Sequence, residues 1–173
     1  AIGTCAETVT GLTVYTSDPG LAGVDGNPVL IIGAPDISRE EFDSDERFDV
    51  IVMGFVLEHV DDPRSLLARY RRFLAPGGRL FAAVPNMASM NRRLGQLAGL
   101  LPDLAQLSTN DILLGHKRYF SVESLTTQLR EAGYEVDRVE GIYLKPLTTT
   151  QMVSLQLSPN IIDALCRLGI DYP

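Results

Sequence analysis

Two histidines and a handful of carboxylates carry most of the chemistry open to this 173-residue chain. Histidine's ordinary pKa lies closest to neutrality, so it is the natural proton acceptor near pH 7. His59 follows Glu58 directly in DVIVMGFVLEHVDDP (49–63). Two readings stand for this pair. It is either an acid–base couple facing a ligand, or a carboxylate bonded to backbone amides beside a packed imidazole. His116 lies in GHKRYF, flanked by Lys117 and Arg118. Nearby cations would depress its pKa and keep the ring neutral, the form a base needs. The alternative is a structural histidine tying two segments together. Tyr143 and Lys145 in GIYLKP are further pocket candidates. The two cysteines, Cys5 and Cys166, do not cluster with the histidines, so no metal site is expected. GxSxG and P-loop patterns are absent.

These residues need elements to hold them. LTVYT (12–16), VLII (29–32), DVIVM (49–53) and RLFAAV (79–84) read as strands. The last three are apolar at nearly every position, as in parallel strands covered on both faces. Between them, Asp61 or Asp62 can cap a helix with Pro63 in its first turn. Leu66, Leu67, Tyr70, Phe73 and Leu74 recur at helical spacing, Arg71 and Arg72 suit its last turn, and Pro76-Gly77-Gly78 stop it. The result is a β-α-β crossover. Residues 87–115 are rich in Leu and Met and broken by Gly95, Gly99 and Pro102, which predicts short helices forming an inserted lid. A helix is expected from a Ser121 cap to Arg130 or Ala132, a strand over 135–144, and a last helix from Ser158-Pro159 to Gly169. Together these read as one α/β domain.

Bulk properties exclude several functions. Net charge is −7, against the basic face that broad nucleic-acid binding wants. No apolar run approaches the roughly 20 residues of a membrane span. The first ten residues carry no basic n-region, so no secretory leader is expected in them. Sparse cysteine predicts a reduced, cytoplasmic protein. The Leu- and Met-rich segment could equally serve a homodimer contact.

FDVIVMGFVLEHVDDPRSLLARYRRFLAPGGRLFAAVPN (48–86) resembles the middle of a class I S-adenosylmethionine-dependent methyltransferase of the small-molecule group. GHKRYFSVESLTTQLREAGYEV (115–136) is similar to the segment after the lid in that group, and the likeness covers roughly residues 29–155. It implies a Rossmann-like, doubly wound, mostly parallel sheet with helices on both faces. S-adenosylmethionine would lie across the carboxyl ends of the strands, the general ligand position on open α/β sheets. Gly54, Phe55 and Val56, just past DVIVM, would border it. His116 and His59 are the catalytic candidates, with a small-molecule hydroxyl or amine, such as that of a sugar or natural product, as acceptor.

The sequence departs from the family in its first third. The glycine-rich loop expected after the first strand is reduced to AIGTCAE, with Gly3 alone. Asp18 and Asp25 compete for the ribose-binding acid, and each also suits a turn. The third strand ends Gly33-Ala34-Pro35-Asp36, so Ala34 takes the expected acidic place and Asp36 stands two residues on. Only ten residues separate Asp18 from Val29, short for a parallel crossover. The expectation is a sequence trimmed at both ends and internally. A methyltransferase-like scaffold that no longer binds the cofactor is the runner-up. A nucleotide-binding oxidoreductase is disfavoured by the lack of GxGxxG.

Overall fold

The structure, a computed structural model, describes residues 29–32, 42 and 44–173. The chain divides into two compact units, Ala1–Val84 and Pro85–Pro173. The expected strand at 12–16 lies outside the described residues.

The first unit is built on β1 (Val29–Ile32), β2 (Phe48–Gly54), α1 (Pro63–Arg71) and β3 (Leu74–Ala83). The strands are parallel in the order β1-β2-β3. Leu30 lies beside Ile51, Ile32 beside Met53, and Met53 beside Ala82. Leu30, Ile32, Ile51 and Met53 are all buried, which fixes the register, because a one-residue slip would turn them to the opposite face. The other face is less covered among the described residues, where Phe81 is 57% exposed.

The crossover through α1 follows the sequence expectation with one correction. Asp62 is the N-cap and accepts from Ser65 N at 3.0 Å and Ser65 Oγ at 2.6 Å, and Pro63 opens the helix. The helix stops at Arg71, three residues short of the predicted Leu74. Phe73 O instead accepts from Phe48 N at 2.8 Å, and Leu74 already pairs with Phe48. Sheet pairing offers Leu74 a partner that another helical turn would not. The Pro76-Gly77-Gly78 run is a register irregularity inside β3 rather than a helix stop. Tyr70 and Phe73 are buried, with ring centroids 5.8 Å apart, and Phe42 packs edge-on to Phe73 at 4.9 Å. Losing the cap leaves first-turn amides without a partner. Asp62→Ala is expected to lower the thermal midpoint by about 3 °C and Asp62→Asn to restore most of it, measured by calorimetry.

The second unit holds α2 (Met90–Leu97), α3 (Thr109–Leu113), α4 (Val122–Glu131), α5 (Thr149–Ser154) and α6 (Pro159–Gly169). Short helices α2 and α3 occupy the segment 87–115, as its breakers predict. Ser121 caps α4 by accepting from Ser124 N at 3.0 Å, and Gly133 follows its end. Ser158 and Pro159 open α6 as expected.

The strand expected over 135–144 does not form. Among the described residues it has no ladder partner. Its end docks on α6 instead, with Leu144 N donating to Leu165 O at 3.0 Å. The contact is backbone to backbone: a Cβ on Gly169 would stand 2.7 Å from Tyr143 N. Alternating apolar residues therefore serve a glycine-mediated contact with a helix rather than a sheet edge. Helix α5 was not foreseen. Its signal was present as Thr148-x-x-Gln151, a capping box in which Thr148 Oγ1 accepts from Gln151 N and Gln151 Oε1 accepts from Thr148 N. Among the described residues no helix is long and apolar enough to cross a membrane.

Candidate active site

In the first unit the polar groups gather at the carboxyl end of β2. Gly54 closes the strand and is exposed. Among the described residues nothing lies within 4 Å of the place a Cβ would take. Phe55 follows with φ 57°, a left-handed conformation costly for a residue with a Cβ. Its N–H donates to Ala83 O at 2.8 Å, the last rung of the sheet, and its ring is 49% exposed. Strained backbone of this kind is characteristic of ligand sites. Val56 turns inward and is fully buried. An open backbone edge, a strained turn and an exposed aromatic ring at a strand's carboxyl end fit an S-adenosylmethionine-like group.

Glu58 and His59 then part company. The chain turns after β2, with His59 N donating to Val56 O at 3.0 Å. Glu58 is fully buried, while His59 is half-buried. Neither carboxylate oxygen of Glu58 meets a hydrogen-bond partner in good geometry among the described residues, and the backbone amide near it is the residue's own. Burial pushes its pKa up to about 7, against a smaller downward pull from its own backbone. Near neutral pH the group is therefore divided between acid and carboxylate. Gly3, Asp18, Asp25 and Asp36 lie outside the described residues.

In the second unit a polar network surrounds His116, and its central member, Asp111, was not picked out from the sequence. Asp111 is the third residue of α3 and completes a capping box with Ser108. Its Oδ2 accepts from Ser108 N at 2.8 Å, from Ser108 Oγ, and from Tyr119 Oη at 2.7 Å. Its Oδ1 lies 3.2 Å from His116 Nδ1, and both side chains are nearly buried. That approach is within ion-pair distance and is not aligned as a hydrogen bond. Burial alone would raise the Asp111 carboxyl, but the hydrogen bonds from Ser108 and Tyr119 and the neighbouring His116 outweigh it and hold it below its ordinary range. Burial and the bond to Asp111 push Tyr119 up to about 12, so it remains a donor.

Local sequence explains why His116 returns to Asp111. Gly115 adopts φ 78° after the C-cap Leu114. Its N–H donates to Ile112 O at 3.0 Å, and His116 N donates to Asp111 O at 2.9 Å. These are the two bonds of a Schellman motif, which folds the residue after the glycine back over the helix's last turn. The spacing Asp111-x-x-x-Gly115-His116 was thus a legible sign that the two side chains would meet. The whole rests on Arg92, whose Nη2 donates to Leu104 O at 2.8 Å and Gln106 O at 2.6 Å. Its guanidinium also lies 4.0 Å from the Tyr119 ring centroid.

Comparison with known proteins agrees with these features. A family model described as "Methyltransferase domain" matches residues 4–139. The ubiquinone biosynthesis O-methyltransferase of Thiobacillus denitrificans is 29% identical over 121 residues, 69% of this chain and 50% of that protein. That of Pseudomonas syringae pv. tomato is 31% identical over 120 residues, 68% of this chain and 48% of its own. The chain thus spans about half the length of the curated relatives it matches. With the family model covering well over half of its residues, this chain belongs to the methyltransferase-domain family, a class I S-adenosylmethionine-dependent methyltransferase family.

Proposed function

We propose that the protein methylates a hydroxyl group of a small molecule, with S-adenosylmethionine as donor. The observation that carries this reading is the family match over residues 4–139. The relatives' names, which specify O-methyl transfer, favour oxygen over nitrogen as the acceptor atom. The cofactor supplies a methyl group on a sulfonium, already a good leaving group, so the protein's work is alignment and proton removal. Gly54, Phe55 and Val56 border the cofactor in this reading. Gly3, Asp18, Asp25 and Asp36 are the remaining cofactor candidates. His116 is the base that takes the hydroxyl proton, with His59 as a second candidate. The 87–115 segment, with exposed Leu94, Leu97, Ile112 and Leu113 on α2 and α3, serves as an apolar cover for the acceptor.

Titration calorimetry with S-adenosylhomocysteine tests the reading. Saturable heat is expected, whereas a scaffold that has lost the cofactor gives none. The reduced glycine loop around Gly3 is what favours that scaffold as the second reading. Gly54→Val is expected to weaken binding at least about tenfold. Because nothing among the described residues lies within 4 Å of its Cβ position, the same substitution should leave the thermal midpoint nearly unchanged. Equal affinity in Gly54→Val and the unmodified protein would remove this turn from the cofactor site.

A further inference from the structure

The carboxylate of Asp111 has a division of labour that a helix cap does not need. A capping box asks only that the third residue reach back to the N-cap amide. Here Oδ2 takes that bond and two hydroxyl donors besides, from Ser108 and Tyr119. Three donors on one oxygen fix the carboxylate's rotation, so Oδ1 is left facing His116 Nδ1. The backbone fixes the pair a second time, through the bond from His116 N to Asp111 O. Arg92, bound to two loop carbonyls and set over Tyr119, stiffens the donor that holds Oδ2.

We infer that Asp111 is the positioning residue of His116: its Oδ1 holds the imidazole as the Nδ1–H tautomer, which makes Nε2 the proton-accepting atom. A neutral imidazole has one donor nitrogen and one acceptor nitrogen, and the partner of one decides the role of the other. A carboxylate beside Nδ1 can only accept, so the proton belongs on Nδ1. When a hydroxyl acceptor gives up its proton, the O–H bond breaks, the electron pair stays on oxygen, and the proton passes to Nε2. The imidazolium so formed stands next to a carboxylate that stabilises its charge. The identity of the proton donor rests on the methyl-transfer reading, whereas the tautomer does not.

The test is the long-range nitrogen–proton NMR spectrum of the full chain labelled at histidine, at a pH where both rings are neutral. His116 is assigned by its loss in His116→Gln. The expected pattern for His116 is protonation at Nδ1. Asp111→Asn keeps the shape and the cap, because its amide oxygen can replace Oδ2, but it presents an NH₂ to Nδ1. The expected result is reversal to the Nε2–H tautomer and loss of on the order of 10²-fold in kcat for methyl transfer. Tyr119→Phe removes one donor from Oδ2 and leaves the Ser108–Asp111 cap intact, so it should keep the Nδ1–H pattern that Asp111→Asn reverses. An Nε2–H pattern in the unmodified protein overturns the proposal outright, and so does an unchanged pattern in Asp111→Asn. Because the tautomer is read without cofactor or acceptor, failure of S-adenosylhomocysteine to bind would sink the methyl-transfer reading and leave this one standing.

Discussion

Replacing His116 with alanine is expected to lower kcat for methyl transfer to a hydroxyl acceptor by about 10²–10⁴-fold, the usual contribution of a positioned general base. The affinity for S-adenosylhomocysteine should hold, because in the proposed function the imidazole serves the acceptor's proton and not the cofactor. The effect should also depend on pH in a specific way. A hydroxyl that ionises by itself at high pH no longer needs the base, so the deficit should shrink as the pH approaches the acceptor's own pKa. Initial rates with methyl-labelled donor, from pH 6 to 10 over a panel of phenolic and sugar hydroxyls, would check this. A deficit that is the same at every pH would mean that His116 shapes the site without moving a proton. The parallel replacement of His59 separates the two candidates: only one of them should show the pH-dependent deficit.

The second large effect concerns stability. Glu58 is buried without a hydrogen-bond partner among the described residues, and its pKa is pushed from 4.5 to about 7. The folded protein therefore binds this proton more tightly than the unfolded chain. Its favourable contribution is fully present below pH 4.5 and is lost as the pH rises to about 7. A shift of this size corresponds to about 3 kcal/mol between the two limits. Glu58→Gln removes the charge while keeping the shape. At pH 8 the variant should be more stable by on the order of 2 kcal/mol, raising the thermal midpoint by about 4–8 °C. At pH 4 the two proteins should melt together. Thermal melts at four or five pH values suffice, and parallel curves across the whole range would show that Glu58 is solvated or paired after all.

The two expected results concern different units and share one physical cause. A buried carboxyl near neutrality and an imidazole held by a carboxylate are both arranged through environment rather than residue type. Adjacent Glu58 and His59 looked like a couple in sequence, yet the turn after β2 sends one into the core and leaves the other half-buried. His116 has its carboxylate five residues upstream instead.

What the sequence determined by itself is local and periodic. VLII and DVIVM read as strands covered on both faces, and Asp61 or Asp62 with Pro63 read as a helix start. Ser121 and Gly133 bounded α4, and Ser158-Pro159 opened α6. The family likeness also rested chiefly on spacing within one stretch, 48–86, with 115–136 beside it. The tertiary structure decided whatever depended on a partner distant along the chain. Leu74 left the helix because Phe48 offered it a strand. Residues 135–144 alternate like a strand, but pairing needs a ladder, and Gly141 and Gly169 gave the segment a helix to rest on instead. The Asp111–His116 contact falls between these cases. Its backbone geometry was written in Gly115, while the sharing of one carboxylate, Oδ2 with Ser108 and Tyr119 and Oδ1 with the imidazole, came from the fold. Hydrogen-bond competition for a single carboxylate is invisible in the order of residues, because it depends on which donors the fold brings within 3 Å.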